Sequence, residues 1–106
     1  MIKKKIIGTE NYPRLYIFKS NKHLYAQLID DRKNHIIATS STISPEIKNN
    51  QIIYRTCETA KMVGKQIAIK SKAKGLQQLV FDRGTNLYHG QIKALADAIR
   101  EEGIYL

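Results

Sequence analysis

The sequence predicts an α+β protein of order β-β-β-α-β-α, a mixed sheet with helices chiefly on one face, and three observations carry that prediction. Across residues 14–41, apolar residues alternate with period two in three segments separated by short polar turns. Around residues 56–75 and 91–103, apolar residues recur at steps of three and four, the spacing of one helix face. Between those two stands Leu79-Val80-Phe81, an apolar run of strand length. A strand, a helix and a further strand in succession imply a parallel pairing beside an antiparallel meander.

A chain of 106 residues makes one small domain. Residues 1–11 read as a basic N-terminal arm and residues 12–106 as a single α/β domain. The arm carries Lys3-Lys4-Lys5 and has no hydrophobic period. It is either a solvated tail or a segment that orders on a phosphate backbone. Pro13 opens the first strand, where its missing N–H does least harm. Residues 14–19 place Leu15 and Ile17 on one face, Tyr16 and Phe18 on the other. After the turn Ser20-Asn21-Lys22, residues 23–30 set Leu24, Ala26 and Leu28 against Tyr25, Gln27 and Ile29. Residues 31–34 form a second turn, and residues 35–41 a third strand carrying Ile36, Ile37 and Ala38.

Ser44-Pro45-Glu46 has the form of a helix start, with Asn49-Asn50 ending that short helix. Thr56 is the expected N-cap of the main helix, which runs to about Lys74 with Gly75 as its left-handed terminator. Ile53, Cys57, Ala60, Gly64, Ile67 and Ser71 form its expected buried stripe, with Cys57 in the core. Gly64 costs a helix about 1 kcal/mol against Ala, which close packing on the sheet would justify. Lys70, Lys72 and Lys74 suit the negative end of the helix dipole. Asp82-Arg83-Gly84 reads as a turn, Asp82 capping backbone N–H groups or pairing with Arg83. In the last helix Ile92, Leu95, Ala96 and Ile99 face inward, Lys93 and Asp97 can pair, and Gly103 closes the helix with Ile104 folding back.

Composition limits the function. A net charge of +9 and a pI near 9.8 favour polyanions. Residues 1–25 hold six Lys and Arg against one acid, so the excess is concentrated early. No apolar run approaches the roughly 18 residues of a membrane span, and the N-terminus has no apolar signal core. A single cysteine excludes an internal disulfide and fits a reducing compartment.

The element order is shared with ribonuclease-H-like nucleases, but two-metal chemistry needs several carboxylates converging on cations roughly 4 Å apart. Asp82 is suitably placed for one, yet the first strand reads Arg-Leu-Tyr-Ile-Phe-Lys and offers no acid; Glu58 on the main helix has no evident aim toward it. His23, His35 and His89 lack metal-ligand spacing, and Gly84 and Gly90 do not form a phosphate-binding glycine loop. Catalysis, a metal, a cofactor and a small-molecule substrate are therefore not expected. On the sheet, Tyr16, Phe18, Tyr25 and Gln27 stand beside Arg14, Lys19, Lys22 and His23. Rings among cations suit RNA, where rings stack on unpaired bases and cations hold phosphates. The pattern alone leaves open whether those rings are simply core.

Three blocks carry a resemblance. FDRGTNLYHGQIKALADAIREEG closely resembles the C-terminal signature of bacterial-type large-subunit ribosomal protein eighteen; PRLYIFKSNKHLYAQLIDD extends it, and MVGKQIAIKSKAKG does so less specifically. The resemblance implies a structural protein that binds 5S rRNA. It would sit in the central protuberance beside 23S rRNA and large-subunit ribosomal protein five, with no membrane contact. Sixteen Ile and thirteen Lys against five Arg suggest AT-rich coding, and hence a plastid stroma or a bacterial cytoplasm. In that setting Lys3, Lys4, Lys5, Arg14, Lys19, Lys22 and Arg83 would neutralise phosphates. Ser20 belongs to the expected RNA-binding turn, and Asn21, His23 and Gln27 would exchange hydrogen bonds with RNA, as would His89. Tyr25 and Tyr88 would stack, and Arg83, Tyr88 and His89 would converge at one end of the sheet. The alternative function is a free-standing basic RNA-binding module outside any ribosome.

Overall fold

The computed structural model describes residues 6–43, 56–84 and 89–106. The expected short helix after Ser44, the Lys3-Lys4-Lys5 run, Ile53 and Tyr88 lie outside the described residues. The elements are β1 (Arg14–Lys19), β2 (Leu24–Asp30), β3 (His35–Ser41), α1 (Cys57–Ala73), β4 (Val80–Asp82) and α2 (Gln91–Glu101). The sheet order is β3-β2-β1-β4. β1 pairs antiparallel with β2, and β2 with β3; β4 pairs parallel with β1, Arg14 opposite Val80 and Tyr16 opposite Asp82. The α+β order read from the sequence is the observed one.

Strict alternation decides which sheet face is covered. Leu15, Ile17, Leu24, Ala26 and Leu28 are buried, and they share one core with Ala60, Val63, Ile67 and Ala68 of α1 and Ile92, Leu95 and Ile99 of α2. Both helices therefore lie on that face. α1 starts in a capping box: Thr59 N–H donates to Thr56 Oγ1 (3.1 Å) and Thr56 N–H to Thr59 Oγ1 (2.7 Å), satisfying two otherwise orphaned donors. Gly75, at φ 74°, closes α1, and Gly103, at φ 87°, closes α2, where Ile104 N–H reaches back to Ile99 O (3.4 Å). The carboxy-terminal residues then run beside the entry to β4: Tyr105 N–H donates to Gln77 O and Leu79 N–H to Tyr105 O, each at 2.8 Å.

Four local expectations change. Cys57 is exposed, because it is the first helical residue and lies beyond the reach of the sheet. The buried face of α1 is wider than one stripe and takes in Val63 and Ala68, since α1 meets the sheet on one side and α2 on the other. Gly64 packs against α2, not the sheet: a Cβ there would lie 2.4 Å from Leu95 O and 3.1 Å from Ala98 Cβ. Asp97 pairs with Arg100 (3.3 Å) instead of Lys93. Among the described residues no helix is long and apolar enough to cross a membrane.

The Gly64 contact makes a prediction. Alanine improves helix propensity by about 1 kcal/mol, but the clash is with a backbone carbonyl that cannot rotate away. Overpacking of this kind costs about 1–3 kcal/mol. Gly64→Ala is therefore expected to lower the denaturant midpoint, whereas a rise would show that the two helices separate freely.

Candidate nucleic-acid interface

The sheet face opposite the helices carries an aromatic array. Phe18 and Tyr25 are cross-strand partners in the β1–β2 register, and their rings stack at 4.7 Å and 6°. Tyr16, two residues before Phe18 on the same face, adds a third ring at 5.5 Å and 27°. All three are half-buried, so they are neither core nor freely solvated. Gln27 stands opposite Tyr16 on this face. The choice left open by the pattern is thus decided by geometry: the core lies on the other face, and Tyr25 belongs to a set with Tyr16 and Phe18. Such rings offer apolar area and π-faces at low side-chain entropy cost.

One end of this face is the β1–β2 turn. Ser20 N–H donates to His23 O (2.9 Å) and His23 N–H to Ser20 Oγ (3.2 Å), which pins a tight loop. Lys19, Ser20, Asn21 and Lys22 are exposed on it. His23 is half-buried, and its Nδ1 sits 2.8 Å from Thr42 Oγ1, which also accepts Leu24 N–H at 3.2 Å. The buried Thr42 hydroxyl therefore fixes the orientation of the imidazole beside the turn.

The turn after β4 abuts the same array. Gly84 holds φ 60°, and a Cβ there would lie 3.5 Å from the Tyr16 ring. Its N–H donates to Asp82 Oδ1 (2.9 Å), the turn cap expected of that acid. Asp82 pairs with Arg14 through Oδ2, because parallel β1–β4 pairing brings the start of β1 beside β4. Both oxygens of Asp82 are thus engaged in holding structure. Arg83 and His89 are exposed.

Arg14, expected among the phosphate-neutralising cations, has its charge balanced within the protein. Nε and Nη2 donate to Asp31 Oδ2 and Oδ1 at 2.9 and 3.0 Å, a two-pronged pair, while Nη1 donates to Asp82 Oδ2 at 2.9 Å. Hydrogen bonding to Asp31 and then to Asp82 raises the guanidinium pKa above its ordinary value against the opposing effect of burial. The same guanidinium lies over the Tyr16 ring, 5.3 Å from its centroid. Asp31 Oδ2 also accepts Gly8 N–H at 2.7 Å, and Asp31 N–H donates to Gly8 O at 3.0 Å. Gly8, within the expected arm, is buried against β1 and β2.

Sequence reasoning placed Tyr16 and Phe18 on one face with Tyr25 but named only Tyr25 of the three for stacking, and it missed Asp31 altogether. The available signal was the hairpin register, which follows from the Ser20–His23 turn and sets Phe18 opposite Tyr25. Exposed Lys19, Asn21 and Lys22 flank one end of the array, and Arg83 extends the cationic surface along β4. Cations beside ring faces are the chemistry by which proteins hold phosphates and stack unpaired bases.

Known proteins match the whole chain. A family described as ribosomal L18 of archaea, bacteria, mitochondria and chloroplast matches residues 1–106. The large ribosomal subunit protein uL18c of Gracilaria tenuistipitata var. liui is 56% identical over 103 residues, covering 97% of this chain and 98% of that one. The uL18 protein of Rippkaea orientalis is 53% identical and that of Crocosphaera subtropica 52%, each over 97% of this chain and 86% of the other.

Proposed function

The chain belongs to the ribosomal L18 family, and from that premise we propose that it binds 5S rRNA and helps attach it to the central protuberance of the large subunit. It is a structural component of the large ribosomal subunit and not an enzyme, and it works in ribosomes of plastid or bacterial type. The observation that supports the finer reading is the half-buried Tyr16–Phe18–Tyr25 array flanked by the exposed Lys19–Lys22 turn on a chain of net charge +9.

The mechanism is scaffolding. Lys19, Lys22, Arg83 and the basic run Lys3-Lys4-Lys5 neutralise phosphates, whose contacts set register and orientation. Asn21, His23, Gln27 and His89 hydrogen-bond to sugars or base edges, and Tyr25 and Tyr88 stack on unpaired bases. Arg14 contributes by holding the surface together. Within the subunit, 23S rRNA and large-subunit ribosomal protein five are the neighbours of this assembly. Cosedimentation of the tagged protein with large subunits separates this reading from a free-standing RNA-binding module.

Two exposed cations provide the direct check. Lys22→Ala and Arg83→Ala are each expected to weaken 5S rRNA binding by about 1–3 kcal/mol as charged hydrogen bonds are lost. Exposed turn substitutions usually alter stability by only about 0.5 kcal/mol, so the melting midpoint should move by no more than a few degrees. RNA titration beside a thermal melt gives both numbers. Unchanged affinity in both variants would place the contact elsewhere on the protein.

A further inference from the structure

We propose that Arg14 is a positioning residue that couples the base of the basic N-terminal segment to the Arg83 turn, so that the two engage RNA as one unit; this rests on the RNA-binding reading. Three segments far apart in sequence meet at its guanidinium. Asp31 receives Nε and Nη2, and the Oδ2 that accepts Nε also accepts Gly8 N–H. Asp82 receives Nη1 through Oδ2, while its Oδ1 accepts Gly84 N–H. Gly8 follows the Lys3-Lys4-Lys5 run by three residues, and Gly84 is adjacent to Arg83. Each carboxylate held by Arg14 therefore holds in turn the backbone of one proposed phosphate-binding segment.

The geometry makes the coupling specific to arginine. The side chains of Arg14, Asp31 and Asp82 are only 20, 27 and 19% exposed, so water screens them incompletely. Without the guanidinium, two carboxylates would face each other across one small space and turn apart, loosening the Gly8 and Gly84 amides together. A lysine restores the charge but supplies no planar fork to bridge two acids. Gly8 is also wedged: a Cβ there would meet Arg14 N at 2.2 Å and Ile29 O at 2.4 Å, so this point of the chain has little room to find another seat. Because the guanidinium also rests on Tyr16, it joins both segments to the aromatic array.

The test uses the full-length protein with Arg14→Gln and Arg14→Lys. In the RNA-free protein, hydrogen exchange at the Gly8 and Gly84 amides should accelerate together, by about tenfold or more in both variants, while Leu95 in α2 is unchanged. With 5S rRNA, replacing Lys3, Lys4 and Lys5 by Ala should weaken binding in the parent. In the Arg14→Gln background the same replacement should have an effect at least about fivefold smaller. Acceleration at only one of the two amides, or an undiminished penalty for the lysine replacement, overturns the coupling and leaves Arg14 as an ordinary structural pair. Should Arg14→Gln fail to fold, Arg14→Lys, which keeps the charge but not the fork, replaces it in both arms with the same criteria. If the parent protein does not bind 5S rRNA, the RNA-binding reading fails, whereas the exchange measurement still decides the coupling.

Discussion

Leu95→Ala is expected to cost about 2–5 kcal/mol of folding free energy, more than the loss expected from Gly64→Ala or from either exposed-cation variant. Leu95 is 0% exposed and belongs to the core that joins α2 to α1 and the sheet. Its backbone carbonyl faces Gly64 at the helix crossing, so α2 is already as close to α1 as a residue without a side chain permits. The removed methyl groups would leave a cavity that the helices cannot close by approaching further, which places the cost away from the low end of the range. Domains of this size have a total stability of about 5–15 kcal/mol, and each kcal/mol moves the melting midpoint by roughly 4–8 °C. A fall of about 10 °C or more is the expected outcome, with normal RNA affinity in the folded fraction. A loss under about 1 kcal/mol would mean that the crossing repacks and that Gly64 is not its limit.

The second large effect is on binding. With about four to seven phosphates neutralised, log K should fall with log[salt] at a slope of roughly −3 to −6. Raising monovalent salt from 50 to 200 mM should then weaken binding by between about 60-fold and 4,000-fold. Arg14 is not counted among the cations that produce this slope, because its charge is balanced by Asp31 and Asp82. Lys22→Ala should flatten the slope by about one. A slope near zero would remove the electrostatic part of the proposed mechanism.

Local chemistry made much of the fold legible. Period-two alternation in β1 and β2 reproduces the observed burial residue by residue. Thr56, Gly75 and Gly103 mark helix ends because capping depends on hydroxyls and left-handed backbone that few residues supply. What failed depended on a second element. Gly64 was legible as a close approach, but its partner α2 is set by tertiary packing. Arg14 reads as a surface cation until the parallel register brings Asp82 alongside and the β2–β3 turn presents Asp31. Cys57 satisfies the helical spacing but lies one turn ahead of the part of α1 that the core covers.

The candidate site was legible as a composition of rings and cations, and less so as an arrangement. Alternation assigns Leu15, Ile17, Leu24, Ala26 and Leu28 to the buried face; only the position of the helices decides that the other face, with Tyr16, Phe18 and Tyr25, lies outside the core. The turn cations needed no such context, because a polar loop between two strands is exposed by construction.

The proposal that this protein binds 5S rRNA specifically is tested most directly by competition. Labelled 5S rRNA bound to the full-length protein at fixed salt is titrated with unlabelled 5S rRNA, with transfer RNA, and with random-sequence duplex RNA. Charge alone would treat these polyanions alike, whereas a built surface should prefer its partner by at least about 100-fold. Unlabelled 5S rRNA is expected to displace the label near stoichiometry, while the other two require a hundredfold excess or more. Displacement by transfer RNA or random duplex at the same concentration as 5S rRNA would contradict it.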